Sequence, residues 1–275
     1  MTETDPPSGH ALSHAEVLEL VAAHRETEAA DPAAVEARRP ADEAAAGLLA
    51  ELNDGVIPDF VATGYELTDV WHLFQVDYTY QDDKTGEQKT RKVDYRAAVP
   101  ILLKWLPKVG HPTVANGIVR ALSFSFAKKQ ARPALLEFFR NPPHLFDPRR
   151  PDAGEVITAV FREAVATALA TFADPSVATE YLDLAQDRSY GASRADIVAA
   201  LPKLKDDRAL DVLLNLLDDP AVAASSLRAL GKLRRSEARG PIQEFLDNLS
   251  AADWSSDTLN LVRAEGKKAL TRLVG

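Results

Sequence analysis

The chain contains no cysteine in 275 residues, which removes disulfides, thiolate zinc sites, cysteine nucleophiles and thioether-held cofactors from consideration. It also lacks any run near the roughly 20 apolar residues of a membrane-spanning helix, so no membrane partner is expected. Glycine-rich phosphate loops, Gly-x-Gly-x-x-Gly and His-Glu-x-x-His are absent, which leaves nucleotide and zincin chemistry without support. Positive charge is in short supply: 32 Lys and Arg stand against 41 Asp and Glu, for a net charge of -9. The basic residues are scattered rather than massed in a tail, so nucleic acid is a disfavoured partner. His10 and His14 have a metal-compatible spacing but no third ligand nearby, and neither a metal nor a cofactor is expected. Met1 to His10 is acidic and proline-rich, unlike a signal peptide, so the expected location is cytoplasmic.

What is present is apolar material in helical spacing. With 46% hydrophobic and 27% charged residues, the chain has enough for an extended core. Residues 1–40 are rich in Ala, Glu, Asp and Pro and predict a flexible tail with one loose helix over Leu12 to Ala23. Residues 41–95 predict an N-terminal cap. Its first helix ends at Leu52 before Gly55 and Pro58, and its later part alternates through Val76, Tyr78 and Tyr80 to the turn Asp83-Lys84-Thr85-Gly86. Either a short hairpin or a long polar loop fits that stretch.

From residue 96 two ladders recur. The first helix of each unit carries Leu102-Leu103 with Trp105-Leu106, Leu135-Leu136 with Phe138-Phe139, Tyr181-Leu182 with Leu184-Ala185, Leu213-Leu214 with Leu216-Leu217, and Ile242 with Phe245-Leu246. The second helix closes on Ala121-Leu122, Ala168-Leu169, Ala200-Leu201, Ala229-Leu230 and Ala269-Leu270, at intervals of 47, 32, 29 and 40 residues. The longest interval holds a 14-residue insertion at 141–154, proline-rich and expected to protrude as a loop. A smaller insertion lies around Ser250 to Asp257. Each helix pair buries its apolar face only by stacking on the next, so the expected fold is all-α.

Units of this length with an Ala-Leu close resemble HEAT repeats, most nearly the short HEAT-like repeats also found in bacterial bilin lyases. The strongest copy is Asp207 to Leu233. The block Tyr95 to Leu103 also resembles the opening of uncharacterised bacterial HEAT-like proteins. The resemblance implies a right-handed α-solenoid of about five HEAT-like helix pairs over 96–275, with the cap at 41–95. It further implies an arginine early in each second helix that bonds along the stack: Arg162, Arg194 and Arg263 occupy that position, whereas Ala115 and Ala223 interrupt it.

In such arrays the second helices line the concave side, which makes that face the expected site of a protein partner. Phasing the second helices gives a discontinuous row of Arg120, Arg228 and Lys268 with Asn116, Glu163 and Asp196 beside it, and an acidic partner is the complement. The insertion offers His144, Phe146, Arg149 and Arg150 as a second contact surface, unless Leu145 and Phe146 only pin the loop to its own array. Ser125-Phe126-Ala127-Lys128 matches a Ser-x-x-Lys spacing without its companion motifs, and is read as a cap on the first unit. Trp105 is read as core. The expected activity is therefore that of a non-enzymatic interaction scaffold. The resemblance also brings two enzymatic alternatives, a HEAT-like DNA glycosylase of the alkylation-repair type and a HEAT-like bilin lyase or isomerase.

Overall fold

The computed structural model describes residues 32–249 and 253–273. The expected helix at Leu12 to Ala23, His10 and His14, and part of the second insertion lie outside the described residues. Among the described residues there are thirteen α-helices and one two-stranded sheet.

Helix α1 (Pro32–Asn53) runs through Pro40, so it crosses the boundary that the sequence reading places at residue 40. Pro40 is exposed, and good helix formers on both sides carry the helix past its missing N–H. Gly55, at φ 70°, turns the chain into α2 (Pro58–Thr63), which has a proline in its first turn and a left-handed Gly64 at its end, the favoured stop signal for a helix. After α3 (His72–Gln75), strands β1 (Asp77–Gln81) and β2 (Gln88–Lys92) form an antiparallel hairpin with Tyr78 opposite Arg91. The hairpin is fastened to α2 by a bidentate ion pair. Arg91 Nη1 and Nη2 lie 2.6 and 2.7 Å from the two Asp59 oxygens, and the Asp94 amide donates to the same carboxylate at 2.9 Å.

Ten further helices follow, α4 (Val99–Trp105), α5 (Pro112–Leu122), α6 (Lys128–Arg140), α7 (Gly154–Phe172), α8 (Ala178–Gln186), α9 (Ala195–Ala200), α10 (Arg208–Asn215), α11 (Ala223–Leu233), α12 (Arg239–Asn248) and α13 (Ser256–Arg272). They pair in chain order, α4 with α5 through α12 with α13. The even-numbered first helices and the odd-numbered second helices form two layers. Second helices touch in an unbroken series, α5 to α7 to α9 to α11 to α13, whereas first-helix contact is extensive at α4 to α6 and α8 to α10. Helix α1 closes the start by packing on α4.

The residues of both ladders make the core. Leu102, Leu135, Phe139, Tyr181, Leu213 and Ile242 from the first helices are buried, as are the first four Ala-Leu pairs and Ala269; Leu270 is half-buried. Alanine lets neighbouring backbones approach and leucine fills the space beside it. The closest approach uses glycine: a Cβ on Gly231 would sit 3.0 Å from Ala269 Cα, so α11 and α13 meet nearly backbone to backbone. Trp105 is half-buried rather than core, lying flat against Gly47 while its Nε1 donates to Glu51 at 2.7 Å.

The most deeply buried charged side chain among the described residues is an arginine. Arg194, 1% exposed, donates to the carbonyls of Gly191 at 3.1 Å and Ala185 at 2.5 Å and pairs with Asp219 of the following unit. Asp219 in turn accepts the Ala221 amide at 3.0 Å. Arg162 occupies the matching place one unit earlier, donating to the carbonyls of Phe139 at 3.0 Å and Arg140 at 3.4 Å while its guanidinium lies 5.4 Å from the Tyr190 ring centroid. Arg263 is exposed and makes no such bond. The expected arginine ladder therefore has two rungs; the third position looks outward because no further described helix stacks beyond α13.

Removing one member of a buried, hydrogen-bonded ion pair leaves the other uncompensated, at a cost of about 3–5 kcal/mol. Arg194→Met is expected to destabilise by that amount in urea unfolding. The double variant Arg194→Met/Asp219→Leu should be less destabilised than the sum of the two single changes; strict additivity would show that the two groups do not depend on each other.

Candidate docking face on the second helices

Polar bonds link the exposed edges of α7 to α9 and of α11 to α13. Thr167 Oγ1 on α7 lies 2.6 Å from Asp196 Oδ2 on α9. Arg228 Nε on α11 lies 3.4 Å from Glu265 Oε2 on α13, and Lys268 Nζ lies 2.8 Å from the other Glu265 oxygen. The Lys268 bond, joined by the positive charge of Arg228, holds the Glu265 carboxyl below the usual range against the burial that would raise it. At the opposite end, Arg120 lies 5.9 Å from the Phe124 ring centroid. Phe124 belongs to an aromatic group with Phe74, Tyr95 and Phe126. Gly117 of α5 is covered by the cap: a Cβ there would meet Val70 Cγ1 at 2.5 Å and Trp71 Nε1 at 2.8 Å.

The basic row expected from the sequence thus has a different character. Arg228 and Lys268 converge on Glu265, Asp196 is engaged by Thr167, and Arg120 lies over an aromatic ring. Glu163 is exposed, and its carboxylate has no partner among the described residues. Phasing the sequence places Glu265 in the row beside the basic one, three residues before Lys268, but its contact with Arg228, 37 residues away, forms only through α11–α13 packing.

The insertion lies down rather than protruding. The Phe146 amide donates to the Gly110 carbonyl at 2.9 Å, while Leu145 and Asp147 are buried. Its apolar residues need cover, and the α4–α5 turn supplies it. Phe146 is half-buried, and His144 and Arg149 are exposed. The Asp147 carboxylate accepts the Arg149 amide at 3.1 Å and Arg150 Nε at 3.3 Å.

This folded-down loop forms one wall of a cavity of about 120 Å³. Asn116 and Thr113 of α5 line it, with Asp147 and Arg150 of the loop and Val156, Ile157 and Val160 of α7. The structure so brings Asn116 and Arg150 together, and leaves Arg120, Asp196, Arg228 and Lys268 out of the cavity. Asn116 Oδ1 and Ser226 Oγ are buried without a hydrogen-bond partner among the described residues, a condition that costs about 1–3 kcal/mol for each such atom. Ser226 is enclosed in helix packing at 0% exposure, whereas Asn116 borders an opening. Val156 and Val160 are 58% and 47% exposed. The sequence carries a signal for them, since α7 is apolar on two sides: Ile157, Phe161 and Val165 fill the core, and Val156 and Val160 repeat the four-residue spacing on another face.

Ser125 and Lys128 do not form a catalytic pair. Ser125 is exposed in a 3₁₀ turn, and Lys128 Nζ lies 2.6 Å from Asp174. No group of three or more His, Cys, Asp or Glu residues among the described residues is arranged to hold a metal ion, and no described helix is long and apolar enough to cross a membrane.

Residues 193–219 match the family model described as PBS lyase HEAT-like repeat. The chain is thus a helical repeat protein with HEAT-like sequence over that stretch. The match overlaps the strongest copy read from the sequence at 207–219, and it begins and ends beside the two members of the Arg194–Asp219 pair. No curated protein and no solved structure matches the chain.

Because the folded-state pKa of Glu265 is lowered, the stability it contributes is present above the ordinary carboxylate pKa and is lost as pH falls through the folded value. Glu265→Gln is expected to lower stability by about 1 kcal/mol at pH 7, as for an ion pair whose cations are solvated. The gap from wild type should close below about pH 4. Thermal unfolding of both proteins between pH 7 and 3 tests this, and a gap that widens on acidification would contradict it.

Proposed function

We propose that this chain is a non-enzymatic interaction scaffold, a right-handed solenoid of about five HEAT-like pairs that holds a protein partner across its second helices. Continuous contact along the second-helix layer supports a curve with that layer inside, since the inner layer of a stacked array has the shorter path. The observation that carries the reading is the distribution of exposed apolar bulk. Phe124, Val156, Val160 and Leu261, all between 37% and 58% exposed, lie on or directly after second helices; among the described residues the one other large exposed hydrophobic residue is Val61, on α2. Apolar bulk collected on one layer marks a surface that another protein covers.

The enzymatic alternatives draw less support. Residues 84–140 hold twelve basic and three acidic residues, which is the most favourable stretch for a nucleic-acid groove. Eight of the twelve, among them Lys89, Arg91, Lys104 and Arg132, are already in ion pairs. A glycosylase groove would need these charges for phosphates. A bilin lyase would need a chromophore-sized groove beside a carboxylate such as Asp196 or Glu163; the hollows of about 300 Å³ at Leu52 to Glu66 and about 340 Å³ between α12 and α13 only reach the lower limit of the roughly 300–1,000 Å³ of small-molecule sites, and neither carboxylate lines them. The cytoplasm suits a cysteine-free chain of this kind.

The test is affinity capture from a lysate of the source organism with the whole chain, comparing wild type, Leu261→Glu, Phe124→Glu and Val61→Glu by quantitative mass spectrometry. We expect a captured protein to be retained by Val61→Glu and reduced at least about tenfold, or 1.4 kcal/mol, by Leu261→Glu or Phe124→Glu. Equal capture by all four proteins would overturn the reading. Tight binding of duplex DNA at about 0.15 M salt would favour the glycosylase instead.

A further inference from the structure

We propose that the cavity between α5, the 141–153 segment and α7 is a peptide subsite. Its occupant is an extended segment of the partner that carries an aliphatic residue within two positions of an acidic one. The proposal rests on the scaffold reading and names what that scaffold grips.

Three features select this occupant. The Asn116 side chain is half-buried at the cavity wall and its Oδ1 has no partner among the described residues; turned toward the cavity, that amide is satisfied by a main-chain amide in either orientation, because a peptide group offers both N–H and C=O. Val156 and Val160 present an apolar shelf one helical turn long at the mouth of the same cavity. A cavity of about 120 Å³ is slightly smaller than an engineered one of about 150 Å³ that takes a single benzene, so it admits one side chain and not a cofactor. Arg150 supplies the third feature. Among the described residues its guanidinium is engaged at Nε alone, by Asp147 at 3.3 Å, and its side chain is 62% exposed, which leaves the terminal nitrogens as donors for a carboxylate.

Other ligand classes fit less well. No aromatic ring lines the cavity, so a nucleobase would have nothing to stack on. The Arg150 charge is balanced by Asp147 behind it, which suits a single carboxylate better than a phosphate. An extended chain alternates its side chains across two faces, so an aliphatic and an acidic residue one or two positions apart can reach α7 and the loop from one backbone that passes Asn116.

The experiment pans a displayed library of random dodecapeptides against the immobilised full-length chain. Fluorescence anisotropy then follows the best peptide with wild type, Asn116→Ala, Val160→Glu and Arg150→Ala, each checked for an unchanged unfolding temperature. We expect a consensus of an aliphatic residue within two positions of Asp or Glu, and at least about tenfold weaker binding to Asn116→Ala and to Val160→Glu. Replacing the peptide's acidic residue by its amide should weaken binding to wild type and leave binding to Arg150→Ala unchanged. The absence of a consensus, or full binding by Asn116→Ala and Val160→Glu, overturns the subsite. Peptides that ignore those two variants but are lost on Leu261→Glu would reject the cavity and keep the scaffold. Conversely, cavity-dependent peptides with no partner captured from lysate would support the subsite and count against the wider face.

Discussion

Helix ends inside a stacked array are the constraint on which this structure turns. Several helices are short, with six residues in α9 and eight in α10, well below the length at which an isolated helix holds in water. Their last carbonyls point into neighbouring layers, where water is scarce. The chain answers with cations. Arg162 meets the end of α6, Arg194 the end of α8, and Arg132 and Lys203 the carbonyls of Phe172 and Ala170 at the end of α7. Each supplies a donor to an orphan acceptor and places positive charge at the negative end of a helix dipole. Arg194 goes further: through Asp219 it bonds two units together, and both partners are sealed from solvent. The packing of one pair therefore sets the register of the next.

That arrangement divides the two layers by role. Polar bonds at the layer of first helices join consecutive units, as in Lys128 and Arg132 with Asp174, Arg208 with Thr179, and Arg235 with Asp207. Their charge is consumed in holding the stack. The second helices pack closely through Ala, Gly and Leu and need fewer such ties, so their outer edges are free to carry residues that contribute little to folding. Val156, Val160 and Leu261 belong to that group, and so does Asn116, whose buried oxygen the fold leaves unpaired. A buried polar atom without a partner opposes folding. Its place beside exposed apolar residues makes the second-helix edge the part of the molecule least accounted for by stability alone.

The fold was largely legible in the sequence because local spacing encodes it. Most residues of the Leu-rich and Ala-Leu ladders are buried, and the displaced interval between Ala121 and Ala168 locates the insertion. The HEAT-like resemblance together with the Ala-Leu phase points to Arg162 and Arg194 as rungs, and equally to Arg263, which is exposed. The candidate site was less legible, for reasons that are equally physical. The row of Arg120, Arg228 and Lys268 looks basic in one dimension, but Glu265 pairs with Lys268 on its own helix and with Arg228 across the α11–α13 interface, and Arg120 lies against Phe124. Whether Leu145 and Phe146 would protrude or fold back depended on the bare Gly110 carbonyl, which no side-chain pattern announces. The start of the chain shows the same limit: a composition change at residue 40 suggested a boundary, yet a continuous backbone helix passes through it.

Charge bookkeeping then constrains what kind of recognition remains. A net charge of -9 suggests an acidic molecule with basic spots, but few of the cations near the second-helix face are unengaged. Arg228 and Lys268 share one carboxylate, and Arg120 shields a ring. Long-range attraction from such a surface is weak, and salt would alter it little, because the charges are compensated at contact distance. What the face offers instead is short-range: a methyl shelf on α7, an aromatic edge at Phe124, a leucine on α13 and one unsatisfied amide. These interactions act only when surfaces fit closely, so the partner we propose is one selected by shape and by main-chain hydrogen bonding, with Arg150 contributing charge at the lip of the cavity.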